Sequence, residues 1–242
     1  MCIRLRMHIR CQAILIVAHT NENNVIERAY MREKTRVDTI YQTLRDRICL
    51  GEYKPGDVFH ENELGQEFQV SRTPIRQVLQ RLAFERLAVV RTGVGTIVED
   101  YADADVRNYL EIHARILETV AELKLFRPET NNQEALANVQ VRASMLSGAA
   151  DIERIWSFLK TIQELTDQLL ADDTLRHMNE MLFYRAVRGL IAGGRHSPEL
   201  AANIIQDNIV KLTDALERSD YETFFMALSD LVRAYKALAV KS

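Results

Sequence analysis

Along most of the chain, apolar residues recur every three or four positions, the period of a helix that buries one face. Between residues 37 and 98 this pattern breaks into three short helices and two β-type runs. The stretch 41–48 turns Leu44 and Ile48 to one side, and 61–68 turns Leu64 and Phe68 inward, with the small Gly65 placed where another helix could come close. After Gln69-Val70-Ser71 a third helix is expected from Arg72. Its packing face is Ile75, Val78, Leu79 and Leu82, and Arg72, Arg76 and Gln80 form a separate i, i+4, i+8 row. Ser71 suits the N-cap, and Pro74 is tolerated in the first turn, where the amide it lacks would be unpaired. Gly51, Pro55 and Gly56 punctuate the segment between the first two helices. Leu87–Val90 and Thr96–Val98, joined by Arg91-Thr92-Gly93-Val94-Gly95, read as a hairpin. Two helices joined by a three-residue turn, a preceding helix and a two-stranded wing predict a winged helix-turn-helix.

Past the short acidic linker Glu99-Asp100-Tyr101-Ala102-Asp103 the helical period returns and holds to the end. Six helices are predicted, over 103–126, 130–147, 151–170, 173–191, 198–218 and 220–239, with no strand. Pro128, Gly148, Asp172-Asp173, Gly193-Gly194 and Ser219-Asp220 separate them. Core stripes run through Val106, Leu110, His113, Leu117 and Val120, and through Ile152, Ile155, Leu159, Ile162 and Leu169. Ile204, Ile205, Leu212 and Leu216 continue them, followed by Phe224, Leu228, Leu231 and Tyr235. The expected fold class is therefore mainly α, an N-terminal winged helix-turn-helix followed by an all-α antiparallel bundle. The domains are expected at 31–99 and 100–242. Residues 1–30 are expected to be a flexible extension. Their apolar run Ala13–Ala18, behind Arg4, Arg6 and Arg10, is short for a secretory signal, and export is rejected.

Composition changes the picture in one respect. The net charge of −3 conceals a split: residues 32–98 hold eleven Lys/Arg against nine Asp/Glu, net +2, and residues 99–242 hold sixteen against twenty-three, net −7. A purely architectural nucleic-acid protein would be far more basic and would have no use for an acidic bundle. An enzyme would need convergent catalytic groups, and no nucleophile elbow, P-loop, Gly-rich dinucleotide loop or His/Cys/Asp constellation is found. Three cysteines, Cys2, Cys11 and Cys49, are too few and scattered for a disulfide framework or zinc site, which fits a reducing cytoplasm.

Residues 37–98 resemble the DNA-binding domain of the GntR family of bacterial transcription regulators. The likeness rests on Ile48-x-x-Gly51-x-x-x-Pro55-Gly56, Glu63-Leu64, Val70-Ser71-Arg72-Thr73-Pro74-Ile75-Arg76, Leu79-x-x-Leu82 and Gly93-x-Gly95-Thr96-x-Val98. It implies that Arg72 and Arg76 contact DNA from the recognition helix, with Gln80 in the same row. It also implies that Ser71 and Thr73 hold phosphates and that the wing tip Thr92-Gly93 enters the minor groove. The same row would equally suit a solvated face of an amphipathic helix. The chain departs from the family pattern at Asn62, where Arg is usual, and at Gln69 and Arg86, where Gly is usual. The last two put side chains where the backbone favours positive φ, a local cost of about 1 kcal/mol.

A winged helix followed by six or seven helices is similar to the FadR-like (FCD) branch, whose C-terminal domain binds a small effector and forms the dimer. Leu117-Glu118 and Leu212-x-x-Ala215-Leu216-x-x-x-Asp220 carry that likeness. Many members hold a metal through an Asp-x3-His pair and two further His; aligned on Leu175, Ala215 and Asp220, those positions fall here on Leu159, Gln163, Ile209 and Leu231. No metal and no cofactor are expected, because Leu and Ile offer no donor. Polar groups on or near the core stripes, His113, Gln163, Asn208 and Tyr235, mark an effector site, with Arg115, Arg185 and Arg188 to balance an acidic metabolite. The plainer alternative is that these are core groups satisfied by neighbouring helices and surface arginines. The chain is thus expected to be a cytoplasmic repressor, not an enzyme. It would act as a homodimer on a palindromic double-stranded DNA operator, under control of a small anionic metabolite and without a membrane. The alternative is a regulator whose bundle only dimerises.

Overall fold

The computed structural model describes residues 36–127, 133–146 and 151–239; the expected extension of residues 1–30 and the separators Pro128 and Gly148 lie outside them. The described residues form two compact units, 36–44 with 60–81, and 45–59 with 82–239.

Helix α1 begins by residue 36 and runs to residue 49, longer than the 41–48 predicted, with residues 36–44 in the first unit and 45–49 in the second. Ile40 and Tyr41 extend its buried stripe by a turn ahead of Leu44. Helix α2 spans Glu61–Glu67 and helix α3 Arg72–Phe84, so α3 starts at the predicted residue. Pro74, Ile75, Val78 and Leu79 are buried, while Ser71, Arg72, Thr73, Arg76 and Gln80 are exposed. The turn between α2 and α3 closes on itself. A Cβ at Gly65 would sit 3.0 Å from the Val70 carbonyl, so the small residue admits the returning chain, where the sequence pattern predicts the approach of another helix. Gln69 takes φ 53°, and Arg36 donates from Nη2 to the Phe68 and Gln69 carbonyls at 2.9 and 2.8 Å. Arg81 lies 3.6 Å over the Tyr41 ring and 3.2 Å from Asp38, tying α3 to α1.

In the second unit, Arg86 turns the chain at φ 62° and leads into strands β1, Ala88–Arg91, and β2, Gly95–Val98. They pair antiparallel with Val89 opposite Ile97. Residues 56–59 add a rung the sequence did not disclose: Val58 bridges Ile97 and the Phe59 amide donates to Thr96 O at 2.9 Å.

The remaining helices are α4, Asp103–Glu122; α5, Gln133–Ser144; α6, Ile152–Leu169; α7, Asp173–His196; α8, Pro198–Glu217; and α9, Tyr221–Ala234, followed by a 3-10 turn at Tyr235–Ala237. Helix α4 packs on α7 and α9, α8 on α9, and α5 on α6 and α8. Every residue of the four predicted core stripes is buried. Asp151, Asp172 and Asp220 cap α6, α7 and α9 through backbone amides, which is why breaks fall there. Two expectations fail. Helix α4 stops at Glu122, short of the predicted 126, and the chain beyond it pairs Phe126 with Leu170 in an isolated antiparallel bridge, while no strand occurs in the bundle among the described residues. Helix α7 runs through Gly193-Gly194 to His196. Gly193 is there for contact and does not end the helix: a Cβ on it would lie 2.1 Å from the Leu238 carbonyl. Among the described residues, no helix is long and apolar enough to cross a membrane.

Candidate nucleic-acid interface and bundle cavity

The turn between α2 and α3 and the amphipathic pattern of α3 together present one polar face. Arg72, Arg76 and Gln80 follow each other at successive helical turns on the side opposite Ile75, Val78 and Leu79, with Ser71 and Thr73 at the N-terminal end. Arg72 makes no ion pair with the described residues. Arg76 does: its Nε donates to both carboxylate oxygens of Glu61, at 3.0 and 2.8 Å. That contact uses Nε only, and the Arg76 side chain remains 60% exposed. An exposed pair of this kind is worth about 0 to 1 kcal/mol, little enough to yield to a phosphate or a base edge. In the second unit Thr92 and Gly93 are exposed at the hairpin tip.

The bundle encloses a cavity of about 30 Å³ lined by α4, α6, α7, α9 and the 3-10 turn. Three of the seven residues singled out as effector contacts, His113, Gln163 and Tyr235, line it, and the other four do not. Arg188 is buried, with Nη2 donating to the Glu99 carbonyl at 2.7 Å. Arg115 is exposed and paired to Glu111 and Glu118 on its own helix. Arg185 lies 4.8 Å over the Tyr109 ring. The Asn208 side chain donates to Ile204 O within its helix at 2.8 Å. Polar residues at helical spacing are often spent on their own helix in this way, and spacing alone cannot tell the cases apart.

The polar lining of the cavity is a connected chain. His113 meets Asn179 Oδ1 at 2.7 Å, and the Asn179 amide donates to Asp167 Oδ1 at 2.9 Å. Gln163 donates to the same carboxylate at 3.0 Å. Since the Asn179 amide nitrogen is committed to Asp167, His113 is the donor to Asn179 Oδ1, which places its proton on Nε2. Burial drives the His113 pKa down to about 4 against the hydrogen bond to Asn179, so the ring is neutral. Burial pushes Asp167 up to about 6 despite the hydrogen bonds from Asn179 and Gln163. The Tyr235 hydroxyl is buried and has no partner among the described residues. Asn179 is the residue the sequence reading missed. It shares a face with Leu182, Phe183, Ala186 and Leu190, the apolar stripe of α7 that signals its burial. No group of three or more His, Cys, Asp or Glu among the described residues could hold a metal ion. Leu159, Gln163 and Leu231 line the cavity, and Ile209 does not.

Comparison with known proteins bears on the first of these sites. The model for bacterial regulatory proteins, gntR family, matches residues 36–98. The chain is 40% identical over 58 residues to the uncharacterized HTH-type transcriptional regulator YieP of Escherichia coli (strain K12), covering 24% of this chain and 25% of that one. It is 28% identical over 138 residues to the gluconate operon transcriptional repressor of Bacillus licheniformis, covering 56% of this chain and 52% of that one. The matches thus span about a quarter and about half of those relatives' lengths. The fold is similar to the solved structure of E. coli McbR/YncC, with TM-score 0.65 and 20% identity over 84% of this chain and 96% of that one. The relatives are named as transcriptional regulators and not as enzymes. The family likeness is thus carried by the winged helix-turn-helix: residues 36–98 match the model for bacterial regulatory proteins, gntR family.

Proposed function

We propose that this chain is a transcriptional repressor of FadR-like type that binds a palindromic operator as a homodimer. Residues 31–99 read DNA, and residues 100–242 dimerise and sense a metabolite. The observation that carries this reading is the exposed row Arg72, Arg76 and Gln80 on the second helix of the helix-turn-helix, with Ser71 and Thr73 at its phosphate-facing end. One recognition helix reads too few base pairs for useful specificity, and a two-fold dimer doubles the site. The wing tip Thr92-Gly93 serves the minor groove. The relative named as the repressor of a gluconate operon supports control of a metabolic operon.

The bundle cavity is assigned to the effector, with one revision. Among the described residues no Lys or Arg lines it, and Asp167 hydrogen-bonds the lining residue Gln163, so its ligand is a small uncharged molecule that hydrogen-bonds Gln163, His113 and the Tyr235 hydroxyl, and not the anion the sequence suggested. A second reading, in which the bundle only dimerises, is favoured by the small volume of about 30 Å³. That is room for about one water molecule unless the helices part.

Selection of duplexes from a random library with the full chain tests the proposal. Recovery of two-fold symmetric sites bound by two chains per duplex is expected, and asymmetric sites bound by one chain would overturn the dimeric reading. The effector is tested on the recovered site: a metabolite that shifts DNA affinity in the wild type and not in Tyr235→Phe supports the sensing role. Absence of any such shift across a metabolite panel supports the dimerisation-only reading.

A further inference from the structure

A second pocket, of about 140 Å³, lies in the larger unit between the chain that follows α1 and the C-terminal half of α7. Its walls include Ile48, Tyr53, Tyr101, Ile191 and two arginines, Arg188 and Arg195. Arg195 is exposed at the rim and uses one nitrogen, Nη2, to hold the Leu50 carbonyl at 2.6 Å. Arg188 is only 5% exposed. Its Nη2 donates to the Glu99 carbonyl at 2.7 Å, its guanidinium lies 4.5 Å over the Tyr101 ring, and its Nε has no partner among the described residues.

A buried guanidinium is ordinarily matched by a carboxylate, because an uncompensated buried charge is costly. Arg188 makes no ion pair with the described residues; Glu99 and Asp100 act on it only at longer range. The buried Cys49 thiol in the same lining does not serve either, since burial pushes its pKa up to about 12 and keeps it neutral. The pocket therefore combines a buried cation with no direct ion pair among the described residues, a second cation at its mouth and apolar or aromatic walls. A carboxylate with a short apolar body fits each part: its oxygens take the free N–H groups of the two arginines, and its carbon chain lies against Ile48 and Ile191. The volume, equal to about five water molecules, suits a ligand of that size.

We propose that this pocket is a binding site for a small organic carboxylate, held by Arg188 and Arg195. The site is separate from the bundle cavity, and neither assignment depends on the other. It would tie the segment after α1 to α7 and hold them more firmly when filled.

The test uses butyrate on the full chain at constant ionic strength, followed by titration calorimetry and melting temperature, with butyramide and inorganic phosphate as comparison probes. Saturable butyrate binding that raises the melting temperature is expected, with no binding of butyramide and weaker binding of phosphate. Arg195→Gln, at the exposed rim, is expected to weaken butyrate binding about tenfold or more, and Arg188→Lys likewise, since a point charge does not replace the planar fork. Should Arg188→Lys fail to fold, Arg195→Gln alone decides. The proposal is overturned by no saturable butyrate binding, by binding unchanged in Arg195→Gln, by equal binding of butyramide, or by phosphate binding without butyrate. Butyrate binding that is lost in His113→Leu and kept in Arg195→Gln would place the ligand in the bundle cavity instead.

Discussion

His113 and Asp167 stand two hydrogen bonds apart and respond to acid in opposite senses. His113 is held neutral in the fold, its pKa down to about 4 from 6.5, so the unfolded chain takes up a proton first and acid weakens the fold between those values. Asp167 is raised to about 6 from 3.8, so the folded chain takes up its proton first and acid strengthens the fold over that range. From about pH 6 to 4 the two contributions largely offset each other. Asp167→Asn removes one and leaves the other. Relative to wild type, the variant's stability should fall more steeply below pH 6, by up to about 1.4 kcal/mol per pH unit for one proton. Urea midpoints at several pH values check this, and parallel profiles for the two proteins would show that the residues do not titrate as described. At this scale the sequence was only partly legible. His113, Gln163 and Tyr235 stood out as polar groups on apolar stripes, but Asn179 and Asp167, which complete the chain, are visible only once α6 and α7 face each other. Arg188 stood out as a charge for an acidic ligand but lines the second pocket and not the bundle cavity, and Arg195 was hidden, because its partner is the backbone carbonyl Leu50 O.

The elements were legible wherever a hydrophobic period and a capping residue agree. Helix α3 begins at Arg72 as predicted, and the breaks at Asp172-Asp173 and Ser219-Asp220 hold because aspartates cap the following helices. The Gly-usual positions Gln69 and Arg86 do adopt positive φ, 53° and 62°, as the family pattern implied. Boundaries set by long-range contact were not legible. Glycine ordinarily weakens a helix by about 1 kcal/mol, so Gly193-Gly194 looked like a stop. Helix α7 continues through it because the Leu238 carbonyl needs the space. The prediction follows from the conflict between these two effects. Gly193→Ala gains about 1 kcal/mol in helix propensity and forces a backbone displacement costing more, so a net loss of about 1 to 3 kcal/mol is expected. Denaturant unfolding measures it; a stabilised variant would mean that Leu238 does not pack there.

For the whole molecule, the charge split of the sequence and the row on α3 make the same demand. A domain of net +2 attracts DNA weakly overall, so affinity must come from a few placed arginines. Arg72 is exposed and unpaired among the described residues, and Arg76 is oriented by Glu61. The central claim is that these two side chains read the operator, and the most direct test is the affinity of Arg72→Ala and Arg76→Ala for the selected duplex at fixed salt. Each is expected to lose about 1 to 3 kcal/mol, roughly 5- to 150-fold, with circular dichroism unchanged. Wild-type affinity in both variants would contradict the account.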